Sequence, residues 1–110
     1  MTAADGPADG SADATPGGSG GTVLSRTLTI CNRRGLHARA AARFVSLAER
    51  FGASVEVVKD GQSVSARSIM GLMMLAASMG TQIEIVAEGP DAEEAMTAIL
   101  ALIDAKFGED

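Results

Sequence analysis

The sequence predicts an α+β domain of order β-α-β-β-α-β-α, an antiparallel four-stranded sheet with helices on one face. Three observations lead there. Four stretches alternate apolar and polar residues with a period of two. Three others repeat apolar residues at helical spacing. A single Asp-Gly pair, Asp60-Gly61, joins two of the strands directly.

Each element has its own signature. Thr22 to Cys31, "TVLSRTLTIC", puts Leu24, Leu28 and Ile30 on one face and Ser25, Thr27 and Thr29 on the other. Arg26 interrupts the apolar row. Residues 38–51 carry Ala41, Phe44, Val45, Ala48 and Phe51 as one helical stripe, with Gly52 at the expected C-terminal cap. "SVEVVKDGQSVSA", from Ser54, reads as a hairpin whose Asp-Gly turn supplies positive φ angles. "SIMGLMMLAASMG" is a short apolar helix with Ser68 as its cap and Gly80 at its end. "TQIEIVAEG" alternates, with Ile83, Ile85 and Ala87 on one face. Asp91 and Glu94 suggest a capping box for a last helix, whose stripe is Ala95, Ile99, Leu102, Ile103 and Lys106, with Met96 and Leu100 alongside. Right-handed crossovers and the hairpin leave two strand orders, 1-4-2-3 and 4-1-3-2.

The chain divides at residue 22. Residues 1–21 are Ala, Gly, Asp, Ser, Thr and Pro after Met1, with three Asp and no cation. Such a segment has little apolar surface to offset its ordering entropy, so a disordered acidic tail is expected. Residues 22–110 form the folded domain. With no Trp or Tyr and three Phe, its core must be aliphatic.

Bulk composition excludes several functions. The net charge of -5 argues against nucleic-acid binding, which needs cations to neutralise phosphates. One cysteine, Cys31, permits no internal disulfide and reads as a small buried hydrophobe. No apolar run approaches the roughly 18 residues of a membrane span. No secretory signal is visible, which points to the cytoplasm. One His and one Cys offer no metal site.

The only histidine, His37, stands where the first helix begins. A helix N-terminus exposes unpaired N–H groups and a partial positive charge, a ready site for an anion. Arg39 lies in the first turn, where a guanidinium can fork onto phosphate oxygens. A neutral imidazole there is a competent nucleophile, although a histidine at a helix start also serves as an improvised cap. Arg26, Arg33, Arg34, Arg39, Arg43 and Arg50 face one acid, Glu49, between residues 26 and 50. A basic collar of this kind steers acidic or phosphorylated partners.

"GLHARAAARFVSLAERF" followed by "SVSARSIMGLMMLAASMGTQIEI" resembles the phosphocarrier protein HPr family of the bacterial phosphoenolpyruvate-dependent phosphotransferase system, over residues 23 to about 107. The resemblance implies an open-faced β-sandwich of strand order 1-4-2-3 with three helices on one face. It implies a carrier rather than an enzyme, without a cofactor and monomeric. His37 matches the residue phosphorylated on Nδ1, supplied by enzyme I and discharged to an enzyme II A component. Arg39 matches the arginine that supports the phosphorylated state. Ser68 matches the serine modified by an HPr kinase/phosphorylase. Ile69, Met70, Met73 and Arg43 are then the expected partner-binding residues, with at least Met70 exposed. One position departs from the family: Ala40 stands where proline is usual, in which it resembles the regulatory or nitrogen-type branch. The rival reading is a regulatory binding module whose partner is chosen by its phosphorylation state.

Overall fold

The computed structural model describes residues 22–108, so the acidic segment 1–21 lies outside the described residues. The elements follow the expected order: β1 Thr22–Thr29, α1 Ala38–Ala48, β2 Ser54–Lys59, β3 Gln62–Ser65, α2 Ile69–Met74, β4 Gln82–Gly89 and α3 Ala92–Asp104. A short turn, Lys106–Gly108, ends the described chain. The four strands form one antiparallel sheet of order β1-β4-β2-β3, one of the two orders the pattern allows.

Register explains why one face is buried. In one row across the sheet, Leu24 pairs with Ala87, which pairs with Val55; in the next, Val57 and Ile85 pair. Ile83, Ile85, Ala87, Val55 and Val57 are all buried. Their neighbours point to the opposite, open face, where Ser25 donates to Glu84 and Ser63 donates to Glu56 at 2.9 Å. Because side chains alternate, a one-residue slip would exchange the two faces, so burial fixes the register. Arg26 is tolerated within the apolar row because β1 is an edge strand and the side chain reaches solvent.

The helices cover the apolar face. Ala41, Phe44, Val45 and Ala48 of α1 are buried, as are Ala92, Ala95, Met96, Ile99 and Ile103 of α3. Asp60 and Gly61 both have positive φ, 52° and 80°, the geometry of a two-residue hairpin turn. Among the described residues no helix is long and apolar enough to cross a membrane.

Four local expectations are corrected. Helix α1 stops at Ala48, capped by Glu49, and Gly52 is not in the left-handed region. Gly52 instead donates its N–H to Asp91 Oδ2 at 2.7 Å. That bond occupies the carboxylate, and Asp91 makes no side-chain cap to α3, so the capping box with Glu94 does not form. Helix α2 ends at Met74 rather than near Gly80, the chain turning through Ala76 at φ 54°. Gly80, at φ 89°, belongs to the turn into β4. Cys31 is half-buried, its thiol donating to the Ile103 carbonyl at 3.2 Å.

One backbone contact sets the mouth of α1. Gly35 has φ +65°, and a Cβ there would lie 2.3 Å from the Ala77 carbonyl oxygen. Gly35→Ala should therefore lower stability by about 1–3 kcal/mol in urea unfolding, from steric clash and left-handed strain together. An unchanged midpoint would mean the 31–37 turn is not pressed against the loop after α2.

Candidate functional site

The site is built by the turn between β1 and α1. Asn32 is fully buried; its Nδ2 donates to the Gly35 carbonyl at 2.9 Å, and the Gly35 N–H donates back to the Asn32 carbonyl at 3.2 Å. Leu36 is buried, and its N–H donates to the Ala77 carbonyl at 2.9 Å. With residues 32 and 36 fixed, residue 37 has little freedom. His37 is the N-cap of α1, in extended backbone at φ -75° and ψ 179°.

Its imidazole is the capping group. Nδ1 accepts the Arg39 N–H at 3.3 Å, and the His37 carbonyl accepts the Ala41 N–H at 2.8 Å. Acceptance at Nδ1 requires a lone pair on that nitrogen, directed at the open end of the helix. Both alternatives from the sequence, cap and nucleophile, thus use one atom. The ring is half-buried, whereas Arg39 is exposed beside it.

The first turn also contains Ala40. Its side chain is fully buried, while its N–H lies in the part of the helix that has no intrahelical acceptor. Two donors, from Arg39 and Ala40, therefore belong to the first turn that Nδ1 caps. A negatively charged group attached to that nitrogen would meet them and the positive helix end, a gain of about 0.3–2 kcal/mol from the helix alone.

The arginines do not all gather here. Arg33 and Arg34 are exposed in the turn before His37, and Arg39 follows it. Arg50 lies beyond the other end of α1, a helix about 16 Å long by its rise per residue. Arg26 is out on the edge strand, donating to the Ser25 carbonyl. Arg43 donates through Nη1 to the Phe107 carbonyl, tying α1 to the C-terminal turn. That bond makes Arg43 a structural clamp, a role its helical spacing did not reveal. Phe107 itself is fully buried at φ 56°, between Lys106 and Gly108 at φ 57° and 74°; periodicity cannot detect a core residue in such a left-handed turn.

Ser68 caps α2 as its sequence suggests, Oγ accepting the Gly71 N–H at 2.9 Å. A Cβ on Gly71 would lie 3.1 Å from both Ser68 Oγ and Val64 Cβ, so glycine admits this tight cap. The core side of the helix consists of Leu72 and Leu75, both buried. Ile69 is 39% exposed, Met70 69%, Met73 40% and Met74 67%; Met79, in the following loop, is 58% exposed. None of the three α2 methionines faces the sheet. Met74 is exposed on the same short helix as Ile69, Met70 and Met73, and Met79 in the loop that follows it. Among the described residues no three His, Cys, Asp or Glu side chains stand together as metal ligands.

Comparison with known proteins agrees with this geometry. Residues 24–105 match the family described as "PTS HPr component phosphorylation site". The chain is 48% identical over 88 residues to phosphocarrier protein NPr of Shewanella violacea, spanning 80% of this chain and 97% of that one. It is 49% identical over 87 residues to phosphocarrier protein HPr of Cupriavidus necator, spanning 79% and 98%. The crystal structure of HPr-C-His from Thermoanaerobacter tengcongensis superposes with a TM-score of 0.76 at 47% identity, covering 79% of this chain and 98% of that one. A structure of an HPr dimer from the same organism has a TM-score of 0.64 at 49% identity, covering 74% and 94%.

The Ser68 cap has a measurable share in stability. Ser68→Ala should cost about 1 kcal/mol in chemical unfolding, whereas Ser68→Asp, which keeps an acceptor at the cap, should cost much less. Equal losses in both variants would show that the Oγ bond to Gly71 does not hold the helix.

Proposed function

The chain belongs to the HPr family of phosphotransferase-system phosphocarriers, a carrier of phosphoryl groups rather than an enzyme, and on that premise we propose that His37 Nδ1 is the atom that carries the phosphoryl group. The observation that supports this most directly is the lone pair of Nδ1 at the N-cap, with the N–H groups of the first turn around it. In the transfer, Nδ1 attacks the phosphorus of a phosphorylated enzyme I in line with the donor nitrogen, which leaves with the bonding pair. The Arg39 N–H passes from the ring nitrogen to a phosphoryl oxygen. The Ala40 N–H and the Arg39 guanidinium receive the others. The second transfer, to an enzyme II A component, reverses these roles. Both partners align the reacting nitrogens, so much of the acceleration comes from positioning supplied by them.

Ile69, Met70 and Met73 form the apolar patch that these partners cover, and Met74 and Met79 extend it. Arg43 contributes less to docking than its position suggests, because its guanidinium is engaged with Phe107. Arg33, Arg34 and Arg39 supply the positive field around the ring. The carrier acts as a cytoplasmic monomer, without cofactor, membrane or nucleic-acid partner.

Ser68 is the second modification point, for an HPr kinase/phosphorylase. A phosphate there adds about -1.5 to -2 charge at the start of α2, next to Ile69 and Met70. The helix tolerates the charge, while an acidic partner docking over the patch is repelled. The relatives named NPr and HPr are 48% and 49% identical, so their likeness does not favour nitrogen-type regulation over sugar transport.

Incubation with phosphoenolpyruvate and enzyme I should produce an acid-labile, base-stable adduct that His37→Ala abolishes. Retention of the adduct in that variant would remove His37 from the reaction. Arg39→Ala should leave the adduct possible but lower the rate of its formation about tenfold or more, the worth of a hydrogen bond to a charged group. With ATP and the serine kinase, an acid-stable adduct should form and be lost in Ser68→Ala; its absence in the unaltered protein would retire the switch and leave the carrier.

A further inference from the structure

We infer that the exposed methionines of α2 and the loop after it, Met70, Met73, Met74 and Met79, are an oxidation site, and that their conversion to sulfoxide by a peroxide uncouples the carrier from its protein partners. The inference concerns the docking patch and rests on the carrier reading above.

The distribution of sulfur is unusual in one respect. Five methionines lie among the described residues, and four of them are 40–69% exposed, all within residues 70–79. The fifth, Met96, is 3% exposed within α3. Oxidation of a thioether requires the oxidant to reach sulfur, so exposure decides the order of reaction. The surface set should react first, with the core methionine as an internal control. Cys31, the other sulfur, is half-buried and its thiol is hydrogen-bonded to the Ile103 carbonyl.

Position gives the modification its consequence. Ala77, between Met74 and Met79 in sequence, accepts the Leu36 N–H, and Leu36 adjoins His37. The oxidisable surface and the phosphoryl-accepting ring are therefore linked through one backbone hydrogen bond. Leu72 and Leu75, not the methionines, anchor α2 in the core. Oxidation of the outer face thus leaves the anchoring side chains untouched.

The chemistry is a two-electron oxygen transfer. A sulfur lone pair attacks one oxygen of hydrogen peroxide; the S–O bond forms, the O–O bond breaks, and the other oxygen leaves as water after a proton shift. Sulfur is oxidised and peroxide is reduced. A methionine sulfoxide reductase with two thiols reverses the change, yielding thioether, disulfide and water. The sulfoxide is a polar, chiral acceptor on a side chain that was apolar and adaptable. A partner covering it must bury that oxygen without a matching donor, so association weakens while the reacting ring is unaltered.

The full-length protein treated with hydrogen peroxide should show, by peptide mass mapping, sulfoxide at Met70, Met74 and Met79 at least tenfold faster than at Met96. Enzyme I, assayed with phosphoenolpyruvate, should have a several-fold higher KM for the treated protein with little change in kcat. Methionine sulfoxide reductase with a thiol should restore the original KM. In the variant Met70→Leu/Met73→Leu/Met74→Leu/Met79→Leu, whatever its own KM, peroxide should change that value by less than twofold. Oxidation of Met96 as fast as the surface set would overturn the inference, as would complete surface oxidation with an unchanged KM. A failure of the untreated protein to accept phosphate from enzyme I is a separate result and strikes the carrier reading on which docking depends.

Discussion

The geometry at His37 depends on the close approach of two backbones, Gly35 against Ala77. A side chain at 35 cannot fit: its first carbon would lie 2.3 Å from a carbonyl oxygen. The same carbonyl receives the Leu36 N–H at 2.9 Å. This one contact orients the turn that ends in His37 and holds it to the loop leaving α2. Without it, the ring would have neither a fixed helix mouth nor an apolar neighbour surface. The buried Asn32 supports the arrangement from behind by bonding the Gly35 carbonyl. A residue with no side chain and one with no exposure thus decide where an exposed chemistry occurs.

On the proposed reading, imidazole as the N-cap joins structural and chemical roles in a single lone pair. A helix start needs an acceptor for its orphan N–H groups, and His37 Nδ1 provides one. Phosphorylation at that nitrogen would consume the lone pair, yet it would bring three oxygens to the same N–H groups. The first turn is then capped in both states, by nitrogen in one and by phosphoryl oxygen in the other. Little of the fold has to move between them. A serine cap, as at Ser68, meets the same requirement for α2 with an oxygen 2.9 Å from the Gly71 nitrogen; the imidazole bond, to a nitrogen acceptor, is longer at 3.3 Å.

Most of the architecture was legible because it follows from period. Alternation located the buried face of β4 residue by residue, and Asp60-Gly61 specified the turn between β2 and β3 through two positive φ angles. The order β1-β4-β2-β3 was not decidable from pattern, since both candidate orders bury the same side chains; the resemblance selected it. Helix ends were less legible. Gly52 and Gly80 looked like caps, but glycine also serves backbone contacts, and Gly52 meets Asp91 across the fold. The caps at His37 and Ser68 were legible from local signals at helix starts. The Arg43 bond to Phe107 spans 64 residues of sequence, and no local pattern carries such information. Met70 was expected outside, but the outward placement of Met74 as well was hidden, since a six-residue helix is too short for periodicity to separate its faces.

Ala40 shows how the fold absorbs a departure from its family. Proline in a first turn fixes φ and gives up an N–H that has no intrahelical acceptor. Alanine supplies neither restraint nor ring, so the turn must be ordered by other means. Two are present. The Ala40 and Ala41 side chains are fully buried, and the Ala41 N–H is bound by the His37 carbonyl at 2.8 Å. Packing on one side and the hydrogen bond on the other restrict the same dihedrals that proline would have fixed. The exchange also changes the chemistry, because the nitrogen at residue 40 becomes a donor. On the proposed reading, a phosphoryl group on Nδ1 would have that donor in the turn it caps. Alanine at this position therefore preserves the helix and leaves in its first turn a donor that proline would lack.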